Sequence, residues 1–412
     1  MLRRVRIRGY KSLRDVEVRF DRPLSVIIGA NASGKSNLFD ALALLSRMVT
    51  KPTLQEAFKE HRGTHFEAFS FDEEGIAGLF KRATAEFSIE VDLELSPRTI
   101  QATRKYFPSL QQSHSLRHKN GDEIQGDSLE HFLRYRLTVQ IDTSNGNLRI
   151  IQERLAALTP HLTEQLRPVL AERNNVSISV SALGLVASGT YIGGILDNAT
   201  FLSQAMFQSY YPIRALFQEI NDWRFYDLQP QAMREPIGLR NVTALSANGD
   251  DLPAFFNTMQ VEQPKQFESL RRALHLLIPE IEAFDVKRDS EGYLHLIVCE
   301  HGTEYSSRVI SDGTLRVLGL LALTNPLEPV TLLGIEEPEN GVDPHQLSLI
   351  AQLLRDTAQY RQMQLLINTH SPLLPRYFSE DELMYCWRDG TETLFEPAKK
   401  SGLWRDPTAI EA

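Results

Sequence analysis

With 412 residues, 42% of them hydrophobic and 24% charged, the chain is long enough for one large or two ordinary globular domains with ample core. No apolar run reaches the roughly 18 residues of a membrane span, and the N-terminal stretch, alternating apolar and basic residues, lacks a signal-peptide core. A net charge of −9 argues against a coat of nucleic acid, and Cys299 and Cys386 form neither a disulfide framework nor a metal-binding spacing, as expected of a cytoplasmic protein.

The chain opens with three predicted strands, "LRRVRIRG", "LRDVEVRF" and "LSVIIG". Arg4, Arg6 and Arg8 alternate with Val5 and Ile7, so they share one strand face. That face is read as a solvated ridge, with a polyanion-binding ridge as the weaker alternative. A glycine loop and a helix follow, with Leu38, Leu42 and Leu45 at helical spacing and Ala41 alongside. "ATAEFSIEVDLEL" and "YRLTVQIDTSNGNLRII" alternate like antiparallel strands, and "SNGN" reads as a hairpin turn. From Glu153 to Phe284 the pattern changes to a mainly helical insertion with a polar helical start. Within it "FLSQAMFQSYYPIRALFQEI" reads as helix and "WRFYDLQPQAMREP" as an ordered loop. Trp223, Phe225 and Tyr226 are expected to pack in a core rather than stack on a base. Strands return with "FDVKRDSEGYLHLIVCE", then helix, strand, helix and strand, and finally a short strand "DELMYCW" and a polar tail. The predicted organisation is 1–152, 153–284 and 285–412, an α/β unit in two halves around the insertion.

Four motifs carry the chemistry. Gly29-Ala30-Asn31-Ala32-Ser33-Gly34-Lys35-Ser36 satisfies G-x-x-x-x-G-K-[ST], in which a curled backbone and a helix N-terminus grip phosphate. Lys35 would reach the β and γ phosphates, Ser36 would ligate Mg²⁺, and Asn37 follows at the helix start. "VTLLGIEEPENGVDP" is a buried strand ending in two acids, Glu336 assigned to the metal and Glu337 to the attacking water. "VISDGTLRVLGLLAL" places Ser311, Asp312 and Gly313 before an apolar helix, a second anion site or a plain helix cap. "LLINTHSP" puts His370 at a strand end, able to bond a γ-phosphate.

In that order the motifs resemble the ABC-type P-loop ATPase head, and within it the RecF-like, SMC-like and OLD-like branch. "VRIRGYKSLRDVEVRF", "ANASGKSN" and "EEPEN" carry the likeness, over about residues 1–150 and 285–375. The resemblance implies a mixed central sheet plus an antiparallel β-subdomain, ATP and Mg²⁺ as ligands, and ATP hydrolysis. It implies a homodimer closing around ATP, with Ser311 and Gly313 meeting the partner's γ-phosphate, Glu337 as hydrolytic base and His370 as switch. Asp343 either links the two sites or caps a helix, with Pro344 at its first position. Gln140 and Gln152 are both candidates for the phosphate-sensing glutamine. The stretch after His370 is too short for an OLD-type nuclease domain, so any nuclease or effector is expected on a separate chain. The implied function is an ATP-gated dimer acting on nucleic acid in DNA maintenance or anti-phage defence. A transporter subunit and a non-hydrolysing ATP-bound scaffold are the alternatives.

Overall fold

The computed structural model describes residues 1–107, 116–117, 123–124, 131–173, 177–180, 189–192 and 196–401. Two compact units emerge, each built from separated stretches of chain. The first comprises Met1–Asp21, Ala32–Trp223 and Trp387–Phe395; the second comprises Arg22–Asn31, Arg224–Cys386 and the segment from Glu396.

The first unit is dominated by an eight-stranded sheet. Its order is Gly189–Ile192, Ser177–Val180, Glu164–Arg173, Leu148–Leu158, Phe132–Asp142, Thr84–Glu94, Leu2–Tyr10 and Leu13–Arg19. The pairings resolved residue by residue are antiparallel, so the alternation seen in the sequence becomes one buried face (Val5, Ile7, Ile89, Val91) and one charged face. The "SNGN" turn is present, with Gly146 at φ 75° and its N–H bonded to Asp142 O at 2.8 Å. The helix Lys35–Thr50 buries Leu38, Ala41, Leu42 and Leu45.

The arginine ridge is an ion-pair ladder, buried at Arg4 and Asp92 and partly exposed to solvent at Arg6 and Arg8, so the expected solvated face holds for only part of it. Arg4 meets Glu17 at 2.9 Å, Glu90 at 2.8 Å and Asp92 at 3.2 Å, while Arg6 and Arg8 both reach Asp15, at 3.0 and 3.2 Å. Arg134, on the next strand, reaches Asp92 at 2.7 Å. Burial works against the Arg4 charge, but Glu90, Asp92 and Glu17 outweigh it and hold the guanidinium above its ordinary pKa. Cross-strand carboxylates thus pair with all three arginines, Arg6 and Arg8 sharing the one carboxylate of Asp15.

The helical start expected after Glu153 is strand instead: Leu148–Leu158 and Glu164–Arg173 continue the same sheet. The 152/153 boundary therefore falls inside a strand. Glu, Arg, Leu and Ala in this stretch favour helix locally, but cross-strand pairing overrides propensity. Glu153 sits opposite Arg173, and the two form a buried ion pair at 3.2 Å. Tyr135 Oη donates to Glu153 at 2.7 Å, and the Phe201 N–H donates at 2.9 Å. The insertion's next expected helix is also shorter: it runs Tyr211–Asn221, with Pro212 in its first turn, and residues before it form turns and one 3-10 turn, Ala205–Phe207.

The second unit holds a parallel sheet core, Leu332–Glu336, Gln364–Thr369, Leu24–Ile28 and Leu383–Asp389 in that order. In the sheet order Trp223–Tyr226 and Glu392–Pro397 are the outer strands, and most of the latter belongs to the first unit. The stretch read as a loop thus begins with a strand and includes a short helix, Pro230–Met233. Trp223 and Tyr226 are buried, as expected of core aromatics, and Phe225 packs on Gly334, where a Cβ would lie 2.4 Å from its ring. Helices Leu252–Glu262, Pro264–Leu277, Asp312–Leu323 and Leu347–Tyr360 and the hairpin Ile281–Arg288 with Tyr293–Glu300 fall where the periodicity places them. Their apolar faces join the strands in one core that includes Val26, Phe256, Phe284, Leu318, Ile335 and Ile367. What reads as a polar tail after "DELMYCW" instead forms the strand Glu392–Pro397 and a short helix, Ala398–Ser401; the last eleven residues lie outside the described ones.

Candidate functional site

Parallel pairing brings the strand ends together. Glu336 is level with Asn368, and Thr369 with Ile28, so Gly29, Glu337 and His370 all leave the carboxyl edge of the same sheet. In open α/β sheets that edge is where ligands bind, because loops and helix N-termini converge there. The preceding strand, Leu24–Ile28, is wholly buried, which makes a rigid base for the loop.

The glycine loop continues from Gly29 to the helix that starts at Lys35. Ala32 and Gly34 both have left-handed backbone, φ 62° and 101°. Such alternation turns successive N–H groups to one side and makes an anion-binding concavity. Gly29 and Ser33 are buried, Ala30, Asn31 and Ala32 are exposed, and Gly34, Ser36 and Asn37 are half-buried. Lys35 is only 6% exposed and is not a solvated surface lysine. No acidic residue sits in the first turn of this helix, so its positive end is uncancelled. The loop thus fits a phosphate group.

At the acid end, Glu336 closes its strand and Glu337 breaks it. Glu337 has φ 46°, a left-handed conformation that costs a non-glycine residue about 1 kcal/mol or more. It is held there from several sides. Its N–H donates to Asn368 O at 3.0 Å, and its carbonyl accepts from Arg316 at 3.2 Å. Its Oε1 accepts from His370 Nδ1 at 2.8 Å, and its Oε2 accepts from Asn340 Nδ2. A carboxylate can only accept, so the His370 proton must be on Nδ1. Behind them Thr369 donates to Glu339, whose carboxyl burial pushes above its ordinary pKa. Glu339 Oε2, Asn368 Nδ2 and Arg316 Nε are buried polar atoms without a protein partner, a set that native sites reserve for water or ligand.

Ser311 caps the helix Asp312–Leu323, accepting from the Thr314 N–H at 3.1 Å. Arg234, from the segment after Pro230–Met233, donates to Arg308 O at 3.0 Å and pairs with Asp312, countering its charge at the helix start. Gly313 lies against Gly341, so the start of this helix and the loop after Glu337 are in backbone contact. Asp343 caps the 3-10 turn Pro344–Gln346, accepting from the His345 N–H at 2.8 Å. Gln140 and Gln152 lie in the eight-stranded sheet, where Gln140 is bonded to Glu86 and to Arg149.

Glu337 and His370 are therefore in direct contact, with Glu336 beside them in sequence and Gly29 at the same sheet edge; Ser311 and Gly313 form a separate helix start. Sequence reading missed Asn340, inside "EEPEN", and Arg316, five positions after Ser311. Both are polar residues within motifs already quoted, and that position is the signal that would have found them. Among the described residues no cluster of three or more His, Cys, Asp or Glu is placed to hold a metal. Mg²⁺ needs no such cage, since it is held by one or two carboxylates together with phosphate oxygens.

A glycine loop and acid-ended strand on one parallel edge define a P-loop nucleotide-binding fold. Residues 4–179 match a family described as "AAA domain", and 219–375 match one described as "AAA domain, putative AbiEii toxin, Type IV TA system". The chain is similar to a DNA replication and repair protein RecF of Synechococcus sp., 29% identical over 97 residues. It is also similar to a DNA double-strand break repair Rad50 ATPase of Methanococcus maripaludis, 25% identical over 124 residues. These segments cover 22% and 30% of this chain, but only 25% and 10% of those proteins. The fold matches an SMC head solved bound to the C-winged helix domain of ScpA, with TM-score 0.53, 12% identity and coverage of 96% of this chain and 97% of that one. The two AAA-domain matches, the RecF and Rad50 likenesses and the shared fold together support an ABC-type head of the RecF- and SMC-like kind.

Proposed function

We propose that this head binds and hydrolyses ATP as an ATP-gated homodimer that acts on nucleic acid and controls a separate nuclease or other effector. The observation that carries the proposal is Glu337, held in a left-handed conformation at the sheet edge with its oxygens fixed by His370 and Asn340. Strain of this kind persists where it orients a reacting group. In the proposed reaction Glu337 accepts a proton from the attacking water, and His370 keeps its carboxylate aimed. Lys35 and the N–H groups from Gly29 through Ser36 hold the phosphates, while the Asn37 N–H bonds to Gly34 O at 3.0 Å. Ser36 and Glu336 are assigned to Mg²⁺, which would neutralise phosphate charge. Ser311 and Gly313 are assigned to the γ-phosphate held by a second copy.

Swinging such a dimer from 1:99 to 99:1 takes about 5.5 kcal/mol of differential affinity, within reach of two composite sites with several charge-assisted bonds each. Glu337→Gln is expected to trap ATP-bound dimers, read by light scattering with phosphate release measured in parallel. Monomers in ATP with this variant sink the gating idea. Undiminished phosphate release sinks the assignment of Glu337.

Likeness to RecF and Rad50 proteins supports a DNA-maintenance setting, and the toxin–antitoxin family description supports a defence setting. DNA-stimulated ATP hydrolysis favours the first, and a co-purifying nuclease the second.

A further inference from the structure

The C-terminal hairpin carries a residue that no motif marks. Thr393, on Glu392–Pro397, is fully buried. Its Oγ1 donates to the carbonyl of Ser33 in the glycine loop at 2.9 Å, and lies 2.7 Å from Ser12 Oγ. Asn37 Nδ2 in turn donates to Ser12 Oγ at 2.7 Å. A threonine hydroxyl has one proton, and Ser33 O takes it, so in the Ser12–Thr393 pair Ser12 is the donor. The chain of bonds has one polarity: Asn37 to Ser12 to Thr393 to Ser33. The Thr393 N–H also donates to Ser12 O at 2.9 Å, which locks the hairpin to the turn after the first strand.

This order has a consequence for the loop. In a trans peptide the C=O and N–H point in opposite directions, and no peptide among the described residues is cis. With its Ser33 carbonyl drawn to Thr393, the 33–34 peptide aims the Gly34 N–H away from Thr393. Arg388, on the same hairpin, brings Nη1 to 3.5 Å from the Ala32 carbonyl, in the same sense. The fit is close: a Cβ on Gly34 would lie 2.0 Å from Thr393 Oγ1 and 3.0 Å from Ser12 Oγ. Gly34 is thus glycine for its φ of 101° and for the approach of Thr393.

We infer that Thr393 is a positioning residue for nucleotide binding: its hydroxyl, polarised through Asn37 and Ser12, holds the Ser33 peptide so that the Gly34 N–H faces the phosphates. The inference rests on the nucleotide-binding reading of the loop. The test is calorimetric titration of the full chain with Mg-ADP and with a non-hydrolysable ATP analogue. Thr393→Val keeps shape and removes the hydroxyl that donates to the Ser33 carbonyl. It is expected to weaken both nucleotides about five- to tenfold, the size of one lost hydrogen bond. Thr393→Ser is expected to restore binding to within about twofold, since it keeps the same bond. Rescue by serine and equal loss for both nucleotides are not features of a general packing defect. Valine binding like wild type overturns the inference, and so does serine as weak as valine. Should the valine variant not fold, Ser12→Ala breaks the relay but leaves the Thr393–Ser33 bond. It is expected to weaken binding by about twofold, and an unchanged affinity overturns the inference. Wild type that binds neither nucleotide overturns the underlying reading, which separates the two failures.

Discussion

Gly313→Ala tests the contact between the helix start at Ser311 and the loop after Glu337. Two effects oppose each other. Alanine is the better helix former, by up to about 1 kcal/mol in a helix interior and less at this second helical position. Against that, the new Cβ would lie 2.3 Å from Gly341 O, 3.2 Å from its carbonyl carbon and 3.5 Å from Val342 Cα. The first separation must open by about 1 Å to reach an ordinary contact. The obstacle is backbone, and it is held: the Val342 N–H bonds to Glu339 O at 3.0 Å and the Asn340 N–H to Glu337 O at 3.2 Å. Overpacking of this sort costs about 1–3 kcal/mol, so the clash wins and the net loss is about 1–2 kcal/mol. The displacement runs through Asn340 to Glu337, so phosphate release should fall as well. Equilibrium urea unfolding measures the stability. Gly238→Ala is the control, because a Cβ there meets nothing within 4 Å, and it should change stability by no more than about 0.5 kcal/mol. A Gly313→Ala protein as stable as wild type, or more stable, refutes the reasoning, since helix propensity would then outweigh the contact.

Glu153→Gln leaves the Arg173 guanidinium, 4% exposed, without its counter-charge, and should cost about 3–5 kcal/mol in thermal or urea unfolding; a loss under about 1 kcal/mol would show that Glu153 is not ionised there. Asp40 accepts from Tyr10 Oη at 2.6 Å and pairs with Lys11 and with His61. Burial pushes its carboxyl up, but His61, Lys11 and Tyr10 outweigh that and hold its pKa well below the aspartate range. A folded pKa below the unfolded value of about 3.9 means the stabilisation is present above that pH and is lost as pH falls below it. Asp40→Asn should therefore flatten the acid limb of the stability profile below about pH 4, and an unaltered limb would contradict the assignment. The trapped dimer of Glu337→Gln and the serine rescue at Thr393 complete the set.

Local chemistry made much of this head legible. The glycine loop declares itself because a phosphate-gripping turn needs residues that accept left-handed backbone in front of a helix. The strand Leu332–Glu336 and the helix Asp312–Leu323 follow from apolar periodicity and caps, signals carried by neighbours in sequence. Two kinds of feature were out of reach. The strands Leu148–Leu158 and Glu164–Arg173 have helix-favouring composition and became strand through pairing, which depends on partners brought alongside by the fold. Arg4, Arg6 and Arg8 showed their shared face but not the carboxylates opposite them. The site divides in the same way. Glu337 and His370 were expected from motif order, but their 2.8 Å contact exists because parallel register sets Glu336 level with Asn368. Thr393 lies far along the chain from Ser12 and Ser33, and no period or spacing joins them. Residue chemistry acts over a few positions of sequence, whereas a hydrogen bond acts over about 3 Å of space, and only folding turns the second kind of distance into a fact about the chain.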